Sequence, residues 1–352
     1  MTPITPRATV RSVRRSPGGP GRCRRAPLPL RVGIDRLVLL GAGLAGAIHG
    51  AEWHEDFSRA PADNGWATFG KADLFNWDAD REALRVTWDS AQPNSYLWRP
   101  LGTVLSRADD FGFGFEIELD HVAVGGNPAK PHTFELAVGL HRHADATTPA
   151  FRRGNAQCPN LVELAYFPDS GYGATVWPTV VTANGRFNWS GANDFLLLEL
   201  EPGSRYQLGI EFSAADSRLA LNLKRDGIPV DGIPPVTLSP QFTDFRVDTF
   251  AVRSYSDDGA DGSLFATGWI DEVRLRLPPP PVEGIQGRWE AGTWKVSFAG
   301  RTGWRYQLQR RVLPDAWQDV GGKTDGEART LELTDPAPLP GTSLYRVAAD
   351  KP

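Results

Sequence analysis

The chain has 352 residues, 41% hydrophobic, 23% charged and 10% aromatic, which is enough apolar mass for one large or two modest cores. This composition excludes a disordered tail, a collagen-like rod and a disulfide-stapled miniprotein. The formal net charge of −4 hides an asymmetry: residues 1–50 hold nine arginines and one acid, whereas residues 51–352 carry −12 and are too acidic to favour a phosphate backbone, which argues against nucleic-acid binding.

The arginine-rich start runs into Leu37-Val38-Leu39-Leu40-Gly41-Ala42-Gly43-Leu44-Ala45-Gly46-Ala47-Ile48. A basic flank, a short apolar run and small residues at its end read as a secretory signal within residues 1–51. Cleavage is expected after Ala47, at the Ala45-Gly46-Ala47 site, or after Ala51. The run is too short to span a bilayer, which takes about 20 helical residues, and no later segment is longer, so no transmembrane segment is expected in the mature chain. Gly41-Ala42-Gly43-Leu44-Ala45-Gly46 also matches the G-x-G-x-x-G dinucleotide pattern. That pattern needs a following helix and a second parallel strand; here it meets Trp53-His54-Glu55-Asp56-Phe57 and short β-like runs, so the signal reading is preferred. The first 31 residues are long for such a signal, and a non-Met start at Val32 would leave a compact leader. An exported or cell-envelope location follows.

Cys23 lies in the leader, which leaves Cys158 alone in the mature chain and rules out an internal disulfide. Its neighbours Gln157 and Pro159 offer nothing to activate a thiol, so a plain buried or loop thiol is preferred to a nucleophile.

After residue 52 the pattern is alternation rather than helical periodicity. In residues 111–120 the odd positions are Phe111, Phe113, Phe115, Ile117 and Leu119, while the even ones are small or acidic. This predicts a strand with one buried face. Residues 134–141 repeat the pattern after a turn-rich segment, and the two runs suggest a hairpin. Residues 206–212 and 219–223 make another pair, and 83–88, 161–167, 195–200, 245–252 and 269–277 bring the count to about ten strands. Many short strands with Gly/Pro turns predict a sandwich or barrel. Pro278-Pro279-Pro280-Pro281 then interrupts the pattern, so residues 278–282 are expected to be a linker. Five short strands are predicted beyond it, at 293–298, 306–311, 316–320, 328–333 and 344–348, forming a small sandwich over residues 283–352.

The pair 206–212 and 219–223 leading to Asp226-Gly227, the closing Gly268-Trp269-Ile270-Asp271-Glu272-Val273-Arg274-Leu275, and the opening Glu55-Asp56-Phe57 through Gly65-Trp66 resemble laminin-G-like and concanavalin A-like jelly rolls of secreted bacterial proteins. The resemblance covers about residues 52–277. The C-terminal piece resembles a fibronectin type III or immunoglobulin-like module, with Trp294, Tyr306 and Leu344-Tyr345-Arg346-Val347 at its core positions. The expected fold class is therefore all-β: a concanavalin-like jelly-roll sandwich followed by a small C-terminal β-sandwich.

Glu116, Glu118 and Asp120 lie at i, i+2 and i+4, which puts three acids on one strand face. Laminarinase/lichenase-type jelly-roll hydrolases carry a similar E-x-D-x-E strand, and retaining hydrolysis needs two carboxyls about 5–5.5 Å apart. Here the order is Glu-Glu-Asp, and Phe113-Gly114-Phe115 replaces the usual preceding residues, so a ligand-binding or solvated face is preferred to catalysis. His141 and His143 share a strand face with Glu135 and, with Asp110 across the suggested hairpin, could hold a transition metal; surface histidines at a strand end are the plainer reading. Asp257, Asp258 and Asp261 crowd a glycine-rich loop suited to a structural calcium ion, or to a plain acidic turn. Twelve tryptophans are many for this length; Trp77, Trp88, Trp98, Trp177 and Trp189 lie near turns or polar residues, where exposed rings would stack on sugars and buried ones would fill the core. Asn188-Trp189-Ser190 is an N-glycosylation sequon. No G-x-S-x-G, zinc-protease or Walker signature occurs.

The expected ligand-binding set is therefore Glu116, Glu118, Asp120, His141, His143, Trp98 and Trp177. The preferred function is a noncatalytic binding protein for a glycan or surface polymer. The alternatives are a glycoside hydrolase or lyase using Glu116, Glu118 or Asp120, and a structural or adhesive envelope protein that binds another protein. No bound cofactor is implied beyond the possible calcium.

Overall fold

The computed structural model describes residues 51–352 apart from 125–128, 131, 154–156, 188–194, 232–234, 258–261, 313 and 340–342. The leader, the sequon, and Asp258 and Asp261 therefore lie outside the described residues. In chain order the first strands are β1 (Ala51–Glu55), β2 (Ala67–Phe69), β3 (Phe75–Asp78), β4 (Ala83–Asp89), β5 (Ser95–Leu105), β6 (Phe111–Ala123) and β7 (Leu136–His141). A four-residue helix α1 (His143–Ala146) follows, then β8 (Leu161–Phe167), β9 (Thr175–Val181), β10 (Leu196–Leu197), β11 (Arg205–Ser213) and β12 (Arg218–Arg225). The jelly roll closes with β13 (Ile228–Pro229), β14 (Val236–Thr237), β15 (Val247–Ser254) and β16 (Phe265–Leu277).

These strands make two sheets. The nine-stranded sheet runs β13-β12-β11-β6-β16-β4-β3, with β14 beside β12 and β1 along the second half of β16; the seven-stranded sheet runs β10-β9-β8-β7-β15-β5-β2. Alternation decides which side chains go inward. Phe111, Phe113, Phe115, Ile117 and Leu119 of β6 are buried, and so are Leu208 and Ile210 of β11 and Leu219 and Leu223 of β12. They meet Val138, Leu140, Leu164, Phe250 and Val252 from the other sheet in one continuous core. Phe113 and Phe250 cross between the sheets edge-to-face at 5.7 Å. The β12–β13 hairpin turns on Asp226-Gly227, both at positive φ (49° and 81°), the type I′ geometry that the Asp-Gly pair favours. Trp88 is fully buried in this core and so is not a sugar platform. Glu55, also buried, ties the start of the domain together by accepting from Trp66 Nε1 (2.8 Å), Asn64 Nδ2 (2.8 Å) and the Phe57 amide (3.2 Å).

The expected hairpin between residues 111–120 and 134–141 does not form. β6 pairs with β11 and β16 in the nine-stranded sheet, whereas β7 pairs with β8 and β15 in the other. Both strands bury an apolar face, so sequence alternation alone cannot tell a hairpin from a crossing between layers. The expected strand at 195–200 is only the two residues of β10.

The seven-stranded sheet is also covered on its outer side. Residues 142–153 and 157–160 fold over it, and Tyr96, Ala137, Ala146, Phe151, Cys158, Leu161, Val181, Ala251 and Tyr255 form a second core there.

Beyond the prolines come β17 (Glu283–Glu290), β18 (Thr293–Ala299), β19 (Arg305–Arg311), β20 (Gln318–Asp325), β21 (Thr330–Asp335) and β22 (Leu344–Asp350). They form two three-stranded sheets, β17-β18-β21 and β20-β19-β22, around Trp294, Val296, Phe298, Trp304, Tyr306 and Leu308. In this sandwich the strand missed by sequence reading is β17, a mostly exposed edge strand with two glycines and little apolar alternation to reveal it; in the jelly roll β5 and β9 are missed as well. Tyr306 Oη donates to the Pro281 carbonyl (2.8 Å) and accepts from the Arg301 amide (2.8 Å), which fixes the proline segment to the small sandwich. Buried Asp109 of the jelly roll pairs with Lys351 and lies 3.7 Å from Arg301, so ion pairs join the two sandwiches.

Candidate functional site

The outward positions of β6 carry Glu116, Glu118 and Asp120, and the neighbouring strands decide what these acids meet. Five residues lie in register on one line across the sheet: Asn76 of β3, Arg85 of β4, Trp269 of β16, Glu118 of β6 and Arg205 of β11. One step along, Asp271 of β16 opposes Glu116, Glu116 opposes Gln207 of β11, and Gln207 opposes Lys224 of β12. Directly opposed residues on antiparallel strands have Cβ atoms about 4.5–5.5 Å apart, so these rows are contact rows.

Each acid of the triplet has a cationic partner. Arg81 donates to Glu118 at 3.1 Å, Arg85 pairs with Asp120, and Arg205 lies 3.3 Å from Glu116, which also accepts from Gln207 Nε2 at 2.7 Å. Arg81 and Arg85 also lie over the Trp269 ring, at 4.2 and 4.7 Å from its centre, and Trp269 Nε1 donates to Asp120 at 3.3 Å. The result is a polar surface of planar donors and acceptors built around one half-buried indole.

Two bulges aim the outer acids. Pairing of β16 with β6 skips Asp120 between Thr267 and Gly268, and shifts again between Asp271 and Arg274. Within the second bulge Glu272 takes φ 51°, a left-handed conformation uncommon for a residue with a side chain, and both Asp271 and Glu272 face outward. Burial pushes the Asp271 carboxyl up to about 6, and the carboxylates of Glu272 and Glu116 add to the rise. Glu116 and Asp271 thus form an opposed pair of carboxyls in unlike surroundings.

Three hollows mark this face. The first, about 420 Å³, lies at the sheet edge between Asn76, Trp77, Asp78, Asp80, Arg85 and Trp269. The second, about 40 Å³, lies between Trp269, Arg81, Glu118, Glu116, Asp271 and Arg205. The third, about 260 Å³, has Gly112, Gly114 and Gly209 in its floor and Glu116, Gln207 and Lys224 among its walls. Trp77 is 38% exposed, with its indole N–H held by the Phe57 carbonyl at 2.8 Å.

The two histidines, Trp98 and Trp177 belong to the other sheet and the segment that follows β7. His141 is fully buried on the outer side of the seven-stranded sheet, so it reaches no solvent-borne ligand. Its Nδ1 accepts from Arg253 Nε at 3.1 Å, and burial, then Arg253, holds its pKa well below the usual histidine range. His143 opens α1 and packs on Trp98 with ring centres 3.9 Å apart. Trp177 sits between Phe167 and Phe195, each 6.3 Å away. The expected metal set is corrected. Asp110 belongs to the other sheet side, where it accepts from the Ala214 amide at 2.8 Å, and no group of three ligating side chains occurs among the described residues. Asp257 is engaged by Ser263 and Lys130, within 3.2 Å of the latter.

The residues missed by sequence reading are Arg81, Arg85, Arg205, Gln207 and Asp271, together with the central place of Trp269. They come from three strands far apart in the chain, β4, β11 and β16, and from the turn before β4, so only strand register brings them together. One local signal existed: Trp269-Ile270-Asp271-Glu272 puts two outward acids after an outward indole, a break in alternation that marks a bulge.

The fold defines a class: a two-sheet concanavalin-like jelly roll with a small second sandwich. Solved structures similar to the chain include the seed lectin of Lotus tetragonolobus, with TM-score 0.42 and 10% identity over 64% of this chain and 97% of the lectin. Lectin II of Ulex europaeus matches with TM-score 0.42 and 11% identity over 65% and 98%, and the carbohydrate recognition domain of Emp46p with 0.38 and 14% over 60% and 88%. These scores assign no role to any residue of the site. No protein-family model and no curated protein matches the chain. No helix among the described residues is long and apolar enough to cross a membrane.

Proposed function

We propose that this chain is an exported, noncatalytic carbohydrate-binding protein that holds its ligand on the outer face of the nine-stranded sheet, with Trp269 at the centre. The observation that carries this reading is the in-register row Asn76–Arg85–Trp269–Glu118–Arg205. An indole supplies apolar contact for a sugar ring, and flanking amide, guanidinium and carboxylate groups supply the paired donors and acceptors that vicinal hydroxyls require. The ion pairs hold these long side chains in place before a ligand arrives, which lowers the ordering cost of binding. The small sandwich, whose two three-stranded sheets support its likeness to a fibronectin type III or immunoglobulin-like module, would serve as a spacer or docking domain.

The test is retention of residues 51–352 on a panel of soluble and insoluble polysaccharides, with released reducing ends scored in the same tubes. Trp269→Ala is expected to weaken retention by about tenfold or more, as loss of a central aromatic anchor does. No retention anywhere on a broad panel would refute the reading and favour a protein partner.

A second reading, a retaining glycoside hydrolase, is favoured by one observation: Glu116 faces Asp271 across adjacent strands, and burial raises the Asp271 pKa. Two carboxyls so placed are suited to act as nucleophile and acid. Under this reading reducing ends appear in the same assay and vanish in Glu116→Gln; under the binding reading none appear.

A further inference from the structure

The three hollows form one path. Trp269 lines both the first and the second, and Glu116 lines both the second and the third. The path runs across the strands, from β3 and β4 at the edge, over β16 and β6, to β11 and β12. At about 4.8 Å per strand spacing, the five steps from β3 to β12 cover about 24 Å, the length of several linked sugar units and far more than a monosaccharide.

The far end of the path is a walled basin. Gly114 and Gly209 oppose each other across β6 and β11, at outward positions where alternation would otherwise place side chains. Glu116 and Gln207 stand on one side of this bare patch; on the other the Glu211 carboxylate, paired with Arg276, lies over Gly112. Asn222 and Lys224 of β12 close the outer end. Paired glycines within otherwise regular strands let a ligand approach the backbone closely.

The charges select among polymers. Arg81, Arg85, Arg205, Arg274 and Arg276 each pair with an acid on the same face, namely Glu118, Asp120, Glu116, Glu272 and Glu211. Lys224 is the remaining cation in the basin lining, while Asp78, Asp80 and Asp271 add further acids along the path. A polyanion would meet no net positive field here, whereas neutral hydroxyls find donors and acceptors in alternation.

We infer that the ligand is a neutral, linear polysaccharide whose chain crosses the strands from the Trp77–Trp269 edge into the Gly114–Gly209 basin. This rests on the carbohydrate-binding reading above and adds length, direction and charge class to it.

The experiment is calorimetric titration of residues 51–352 with cello-, laminari- and xylo-oligosaccharides of two to eight units, at low salt and in half-molar sodium chloride. Affinity is expected to climb by about tenfold or more from two units to the longest members, with little change between the two salt conditions. The double variant Asn222→Ala/Lys224→Ala, at exposed positions remote from the core, should lower affinity several-fold for the longest oligosaccharides and leave the shortest unchanged. Equal affinity for short and long members, an unchanged response in the double variant, or tight salt-sensitive binding of a polyuronate used as control would overturn the inference while leaving carbohydrate binding intact. Binding of no saccharide at all would overturn both.

Discussion

Replacing Glu163 by Ala is expected to lower the stability of the jelly roll by about 3–5 kcal/mol, read as a shift of the urea midpoint at unchanged slope. Glu163 is fully buried on the outer side of the seven-stranded sheet, and three groups depend on it. Arg153 Nε donates to Oε1 at 2.6 Å, while Arg253 (2.8 Å) and the Tyr255 hydroxyl (2.8 Å) donate to Oε2. Removing the carboxylate leaves two guanidinium groups in the interior beside Glu135, 2.8 Å from Arg153, whose carboxyl burial pushes toward its neutral form. The contrast is Arg81→Ala, which breaks the partly exposed pair with Glu118 and should cost less than about 1 kcal/mol. Equal losses in the two variants would mean that water already reaches the buried cluster.

The same cluster is expected to make stability depend on pH in two opposed steps. Burial pushes the Glu135 carboxyl up to about 8: Arg153 stands beside it, but its Nε–H donates to Glu163. A carboxyl whose pKa is raised on folding favours the folded state at low pH, and this contribution fades as pH rises from about 4.5 to about 8. His141 works the other way. Its pKa is depressed on folding, so its contribution is intact above about 6.5 and declines below that as the unfolded chain takes up a proton. Each step has a slope of about 1.4 kcal/mol per pH unit. Between pH 8 and 6.5 only Glu135 acts, and the wild type should gain about 2 kcal/mol on acidification. Below 6.5 the two contributions oppose each other, and Asp271, raised to about 6, adds its own gain on acidification below that value. Glu135→Gln should abolish the gain between pH 8 and 6.5 and leave the acid-side decline starting near 6.5. His141→Gln should keep the gain and extend it toward 4.5. Urea midpoints across this pH range decide the matter, and a Glu135→Gln profile parallel to wild type at alkaline pH would show that Glu135 ionises freely when folded.

The Glu163 cluster shows how little of an interior can be read from a sequence. Glu135, Arg153, Glu163 and Arg253 are charged residues 118 positions apart at the extremes, each of a type usually found in water. They are buried because residues 142–153 and 157–160 fold back over a sheet already covered on its other side, a second layer that no alternation pattern announces. His141 illustrates the same point: a histidine closing an alternating run reads as a surface residue until the covering segment is in place.

What the sequence determined by itself is what depends on nearest neighbours along the chain. Period-two alternation marked most strands of both sandwiches, though not β5, β9 or β17, Asp226-Gly227 specified its turn, and four consecutive prolines ended one set of strands before the next. The single strand face of Glu116, Glu118 and Asp120 was legible for the same reason, because side chains two apart share a face whatever the partner strand. The tertiary structure alone decided what those acids meet. Register with β16 and β11, and the bulges at Asp120 and Glu272, bring Trp269, Asp271, Gln207 and Arg205 alongside them, while β7, the expected hairpin partner of β6, joins the other sheet. Pairing between strands far apart in sequence is set by which combination buries the apolar faces of all of them at once, a property of the whole fold that no local window contains.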